Sequence, residues 1–286
     1  MAHKENIFIT GITGNQGSAV AKYQLEQSNS VFGLTRNADS EKARQCKAQG
    51  ITIIEGNIND SESFQSYLDQ ADTVYLVQAL QQKEKEILEG KQFIDSIKPE
   101  SNTHLVYASV LGANLNTTVP HFESKFELEN YIKSKNLKYT ILRPASFYEN
   151  HLFPRVAKDI IKGKYISPLK KSCKQQMIGI DDIGKITAAI ISNKEKYINK
   201  TISIATDEYQ IGEIPQVFSE AINKPVSYKK LPGFITRLAM GKGLSKMFKY
   251  MNQHDFSVVN NIQDIRHEFD IHGDFRSWVN RNFNPN

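Results

Sequence analysis

The sequence predicts an α/β protein built on a doubly wound parallel sheet, with a smaller C-terminal α/β lobe. Three observations carry this. Short apolar runs alternate with longer amphipathic ones through the first 150 residues, a glycine-spaced loop follows the first run, and proline and glycine interrupt the rhythm after Pro144. Strands buried on both faces read as short apolar, β-branched runs, and strict strand–helix alternation implies parallel strands joined by helical crossovers.

The elements follow in order. Asn6 to Ile9 predicts a first strand and Gly17 to Glu26 a helix. Val31 to Leu34 and Ser40 to Gln49 repeat the pair, as do Ile51 to Ile54 and a helical stretch near Ser61 to Leu68. Thr73 to Val77 precedes a long helix from Gln81 to Ile97, and His104 to Ala108 a helix from His121 to Ser134. Tyr139 to Arg143 is the sixth strand. Beyond it, Gln176 to Ser192 reads as a strand running into a helix, Thr201 to Ala205 as a strand and Ile214 to Ile222 as a helix. Residues 1–150 are assigned to the first domain and 151–286 mainly to the lobe, with about 176–205 returning to the first domain. Leu244, Met247, Phe248 and Met251 make one helical stripe flanked by Lys242, Lys246 and Lys249. That stripe is either packing for its own lobe or a pocket cover or partner-binding helix. Trp278 reads as a packing anchor.

Composition narrows the function classes. The 286 residues are 40% hydrophobic and 23% charged, ordinary for a globular protein. No apolar run reaches the roughly 18–20 residues that span a bilayer. The polar start, Met1 to Asn6, meets only a short apolar stretch at Ile7 to Ile9, too little for a secretory signal. A cytoplasmic protein without membrane partners is expected. The two cysteines, Cys46 and Cys173, lack CxxC spacing and a companion histidine cluster, so neither a disulfide framework nor a metal site is expected. The net charge of +5 divides into −3 over residues 1–150 and +8 over 151–286. The lysines of the basic half are scattered without interleaved aromatics, which argues for a solvated basic surface and against nucleic acid.

The chemistry concentrates in Thr10-Gly11-Ile12-Thr13-Gly14-Asn15-Gln16-Gly17, between the first strand and first helix. Glycines at 11, 14 and 17 allow a tight turn whose backbone N–H groups approach a pyrophosphate, and the helix directs its positive end at it. In that context the loop marks a Rossmann-type dinucleotide site, with Gly11, Thr13, Gly14, Asn15, Gln16 and Gly17 as contacts. An NAD site places an acidic residue at the end of the second strand, to hold the ribose 2′-hydroxyl. Here Arg36 stands there, and a guanidinium pairs with a 2′-phosphate, so NADP(H) is the expected cofactor. Lys42 and Arg44 extend the same positive patch. Asn57 and Ile58, after the third strand, are either adenine contacts or a plain strand-ending turn, and Gln78, after the fourth strand, is a further candidate.

The chain resembles the NmrA-like branch of the short-chain dehydrogenase/reductase superfamily, which includes the fungal nitrogen regulator and HSCARG-type NADPH sensors. The matching residues are the loop at 11–17, Thr35-Arg36-Asn37, His121-Phe-Glu-Ser-Lys125, Tyr139-Thr-Ile-Leu-Arg-Pro144-Ala-Ser-Phe147-Tyr-Glu-Asn150 and Gly179-Ile-Asp-Asp-Ile-Gly184. The resemblance implies a Rossmann domain with a small substrate lobe. It puts Lys125 at the superfamily's catalytic lysine, Ser109 at its catalytic serine, and Pro144 and Phe147 by the nicotinamide. The superfamily's proton-donating tyrosine precedes that lysine by four residues, and here His121 occupies the position, on the same helical face. The competing reading of Lys125 is a solvated lysine among Glu123, Glu127 and Glu129. Tyr107 and Tyr148 are other phenols, for which packing is the alternative role. Two functions stay open: an NADPH-dependent reductase of a quinone or conjugated carbonyl, or a non-catalytic redox sensor acting through a regulatory protein partner. A homodimer is also open.

Overall fold

The computed structural model describes residues 4–284. The strands are β1 (Asn6–Ile9), β2 (Ser30–Thr35), β3 (Thr52–Glu55), β4 (Thr73–Leu76), β5 (His104–Ala108), β6 (Lys138–Pro144), β7 (Ser146–Phe147), β8 (Lys164–Ser167), β9 (Lys174–Ile178), β10 (Lys200–Ile204), β11 (Asp207–Gln210) and β12 (Ser227–Lys230). The helices are α1 (Asn15–Glu26), α2 (Glu41–Ala48), α3 (Gln65–Leu68), α4 (Lys83–Asp95), α5 (Pro120–Ser134), α6 (Pro154–Ile161), α7 (Ile180–Ser192), α8 (Lys194–Tyr197), α9 (Ile214–Ala221), α10 (Gly233–Met251), α11 (Ile262–Glu268) and α12 (Phe275–Phe283). Among the described residues no helix is long and apolar enough to cross a membrane.

The chain forms two compact units: Met1–Ala113 with His121–Arg143 and Ile180–Ile202, and Asn114–Pro120 with Pro144–Gly179 and Ser203–Asn286. The expected strand-into-helix at 176–192 is thus divided, β9 lying in the second unit and α7 in the first.

The first unit carries a seven-stranded sheet in the order β10-β6-β5-β4-β1-β2-β3. The pairs from β6 through β3 are parallel. Reading outward from β1, this is the 3-2-1-4-5-6 order of a doubly wound sheet, whose ligands sit at the strands' carboxyl ends. Burial is greatest at the centre of the sheet, where β4 and β5 are buried at every position, and falls off at the edge strand β3. On one side Phe8, Phe64 and Phe93 pack with ring centroids 5.4–6.0 Å apart. Elsewhere α7 is held to α1 by Asp181, which lies 2.8 Å from Lys22 Nζ and accepts from the Tyr23 hydroxyl at 2.7 Å.

Two boundaries differ from expectation for local reasons. Helix α1 starts at Asn15 because Gly14 is its extended cap. Helix α4 is shorter than 81–97, because Gln82 is extended at its start and Ser96 caps its end.

In the second unit β9 lies between β7, parallel, and β11, antiparallel, and β8 pairs with β12. Its core is aromatic: the buried His151 ring lies 5.2–6.4 Å from Tyr165, Phe218, Phe275 and Trp278. Trp278 is buried and donates Nε1–H to Glu149. In α10, which kinks at Gly241, Leu244, Met247 and Phe248 are half-buried and Met251 buried, while Lys242, Lys246 and Lys249 are exposed.

Candidate functional site

The loop after β1 is shaped by its glycines. Gly11 has φ +59°, a left-handed conformation that costs a residue with a Cβ. A Cβ on Gly17 would lie 2.4 Å from the Gly11 carbonyl oxygen, so the first turn of α1 approaches the loop as closely as backbone permits. Gly14 closes the turn by donating to Gly11 O at 2.9 Å. Thr10 fixes the loop to the end of β4: its hydroxyl donates to Val77 O and accepts from Val77 N–H, both at 2.8 Å. No side chain caps α1, which begins beside the exposed Gly14 and Asn15, with Thr13 half-buried. A helix start of this kind is an anion site by construction. Gln16, expected as a ligand contact, accepts a hydrogen bond from the Tyr75 hydroxyl at 3.0 Å.

Arg36 is exposed immediately after β2, and among the described residues its guanidinium makes no hydrogen bond or ion pair. Arg44 is already committed to the Asp39 carbonyl, whereas Lys42 is exposed. Asn57 is exposed after β3; Ile58 is half-buried against the core.

The ends of β4 and β5 meet α4 and α5 through two buried carboxylates that the sequence reading did not single out. Glu86 of α4 accepts from the Ser124 hydroxyl at 2.7 Å, and its other oxygen lies 2.8 Å from Lys125 Nζ. Lys125 is therefore not a solvated lysine: its side chain is 11% exposed, and its ammonium stands 5.3 Å from the Tyr107 ring centre. The contact with Glu86 is charge to charge, without an aligned N–H bond, and the buried ammonium has no hydrogen-bond partner among the described residues. Gln78 donates its amide to the Glu86 carbonyl at 2.8 Å, and its own buried Oε1 has no partner among them.

The second carboxylate, Glu129, accepts from the Ser109 hydroxyl at 2.5 Å and from Arg143 Nε at 2.9 Å, with Arg143 Nη2 on its other oxygen. Ser109, expected beside substrate, is thus bound into a network joining β5, β6 and α5.

His121, one turn before Lys125 on α5, is half-buried with its ring edge-on to Phe122. Burial lowers its pKa; Glu86 opposes that shift and Lys125 reinforces it. Both other phenols are buried. The Tyr107 hydroxyl is fully buried, and burial, followed by the charges of Glu86 and Glu129, pushes it well above the usual range. The Tyr148 hydroxyl, in the second unit, bonds to Thr206 at 2.9 Å and to Asp207. Pro144 and Phe147 also belong to that unit, Phe147 in β7 beside Ile178 of β9.

Glu86 and Glu129 left only a faint trace in the sequence. Glu86 falls on the stripe of Gly90 and Phe93, and Glu129 on that of Phe122 and Ile132, but each helix carries three glutamates, and the letters alone do not separate the buried ones from Glu84 and Glu127, which are exposed. Tyr75 carried no signal beyond being a strand residue, and Thr10 none beyond opening the glycine loop.

The geometry fits a dinucleotide: a glycine cradle, an uncapped helix start and, among the described residues, an unengaged arginine after β2, an ammonium whose contact is a single carboxylate oxygen, and a buried amide oxygen without a hydrogen-bond partner. A sequence profile of the NmrA-like family matches residues 3–270, so the chain belongs to the NmrA-like family. An NmrA-like family domain-containing protein of Dictyostelium discoideum is 26% identical, with 97% of each chain covered. The NADPH-dependent quinone oxidoreductase QOR2 of Escherichia coli, solved with NADPH, superposes with a TM-score of 0.80 at 19% identity, covering 97% of this chain and 100% of that one. The negative transcriptional regulator NmrA, solved with NADP, gives a TM-score of 0.80 at 17% identity, over 98% and 95%.

Proposed function

We propose that this NmrA-like chain binds NADP(H) and is a reductase of a quinone or another conjugated carbonyl. The observation that carries the reading is the buried Lys125 ammonium, held at the end of the parallel sheet with N–H groups left to donate. Gly11, Thr13, Gly14, Asn15 and Gly17, with the start of α1, hold the pyrophosphate through backbone N–H groups. Gln16 stiffens that turn through Tyr75. Arg36 grips the 2′-phosphate, and Asn57 and Ile58 border the adenine. Lys125 donates to the nicotinamide ribose, and Gln78 presents its free oxygen nearby. Ser109 acts through Glu129 rather than on substrate.

Reduced dinucleotide supplies a hydride, which with one proton converts a quinone into its hydroquinone. The chain's part is to deliver that proton and exclude competing water. The Lys125 ammonium is the donor, its proton replaced once product leaves and water enters the site; His121, uncharged at neutral pH because its pKa is lowered, orients the acceptor oxygen by hydrogen bonding. Hydroquinone oxygens are far weaker bases than the alkoxide of a simple ketone, so the absent phenol narrows the substrates to conjugated carbonyls.

That same absence favours a second reading, an NADP(H) sensor acting through a protein partner, as the likeness to a transcriptional regulator allows. Steady-state NADPH oxidation against a panel of quinones and enones separates the two. The reductase reading predicts turnover with quinones that falls roughly hundredfold or more in Lys125→Ala, the scale of general acid catalysis. Tight NADPH binding with no turnover on any acceptor contradicts it and leaves the sensor.

A further inference from the structure

Glu86 is a carboxylate taken wholly out of water at a point where a surface glutamate would suffice to hold two helices together. Its two oxygens are divided between consecutive residues of α5. Ser124 donates to Oε2 at 2.7 Å and so fixes the rotation of the carboxylate; Oε1 then stands 2.8 Å from Lys125 Nζ. The backbone of Glu86 is fixed in turn by Gln78 from the end of β4, at 2.8 Å. A lysine ammonium rides on four rotatable bonds and loses much freedom when held in one place. Here one charge confines it, yet does not use up its N–H bonds, which make no aligned hydrogen bond to Glu86. The charged and titratable groups facing the ammonium are Glu86 from α4, Tyr107 from β5 and His121 from its own helix.

We infer that Glu86 is a positioning residue for the cofactor: together with Ser124 it holds the Lys125 ammonium in one place, so that its remaining N–H groups meet the ribose hydroxyls of the bound dinucleotide. This rests on the assignment of Lys125 as a cofactor contact. The competing account makes the pair a structural fastening between α4 and α5. The two differ in one respect: positioning acts only through Lys125, whereas fastening acts on the fold whichever residue is at 125.

The test is a double-mutant cycle on NADPH affinity, measured by titration of the full chain at neutral pH, with melting of the cofactor-free proteins alongside. Glu86→Gln keeps the shape and loses the charge, and is expected to weaken NADPH roughly tenfold, within the coupling typical of groups in one network. Glu86→Asp, which restores the charge, recovers part of that loss. In a Lys125→Met background Glu86→Gln adds no further loss of affinity, whatever it does to melting. Wild-type affinity in Glu86→Gln, or an undiminished loss in the Lys125→Met background, overturns the inference. If Lys125→Met itself leaves NADPH affinity unchanged, the cofactor role of Lys125 falls and the inference with it. A loss in Lys125→Met with none in Glu86→Gln overturns Glu86 alone. Should Glu86→Gln fail to fold, Ser124→Ala decides: it keeps the charge pair and removes only the bond that orients it. A smaller loss in the same direction supports positioning, and unchanged affinity contradicts it.

Discussion

At the scale of single residues, the cofactor preference depends on Arg36 and the cofactor's access on Gly17. Arg36 stands exposed, and unengaged among the described residues, where a 2′-phosphate would meet it. A hydrogen bond between charged groups contributes about 1.5–3 kcal/mol. Arg36→Ala is therefore expected to weaken NADPH by roughly 10- to 150-fold in Kd while leaving NADH unchanged, since NADH lacks the phosphate. Equal losses for both cofactors would place Arg36 elsewhere in recognition. Gly17→Ala drives a Cβ to 2.4 Å from the Gly11 carbonyl and must open the turn. Both cofactors should then bind much more weakly, and unchanged NADPH titration would contradict the cradle. These residues were legible in the sequence because a loop's chemistry is written in consecutive letters. Glu86 and Ser124 were not, because contacts between α4 and α5 join residues 38 apart.

At the scale of elements, α5 is tied inward by two carboxylates. Removing one partner of a buried ion pair leaves the other charge unpaired, at a cost of about 3–5 kcal/mol. Glu129→Ala, which removes the carboxylate from Arg143 Nε and Nη2 and from the Ser109 hydroxyl, should lower stability by up to about that amount in denaturant unfolding; a loss under about 1 kcal/mol, the scale of exposed pairs, would show that the network is solvated. In the second unit, burial lowers the pKa of His151 from 6.5 to about 4. The unfolded chain then binds more protons than the native one between these values. His151 thus supports the fold fully above pH 6.5 and loses that support as pH falls, by on the order of 3 kcal/mol at pH 4. His104, lowered to about 3 in the first unit, acts in the same direction. His151→Gln should flatten the decline of the melting midpoint from pH 7 to 4, and parallel declines would mean that His151 is not held neutral.

At the scale of the whole molecule, the first unit was readable because parallel strands buried on both faces must be apolar: β4 and β5 present no solvent-facing position. The second unit was less so. Its β11 (Asp207–Gln210) and β12 (Ser227–Lys230) are polar, β11 half-buried and β12 largely exposed, and carry no apolar run to recognise. Helix α6 opens on a proline, which reads as a break but is a favoured first helical residue. Helix α7 lies in the first unit and the preceding β9 in the second, and the residues around the change at Gly179 do not mark it. Reductase and sensor share every one of these features and differ in whether bound NADPH gives up a hydride. The most direct measurement mixes the preformed NADPH complex with a quinone and follows a single turnover by absorbance, using NADPH and its 4-deuterated form. Loss of the reduced nicotinamide signal, slower with deuterium and slower again in Lys125→Met, is the result expected. A complex that forms tightly and keeps its NADPH through every quinone would contradict the account.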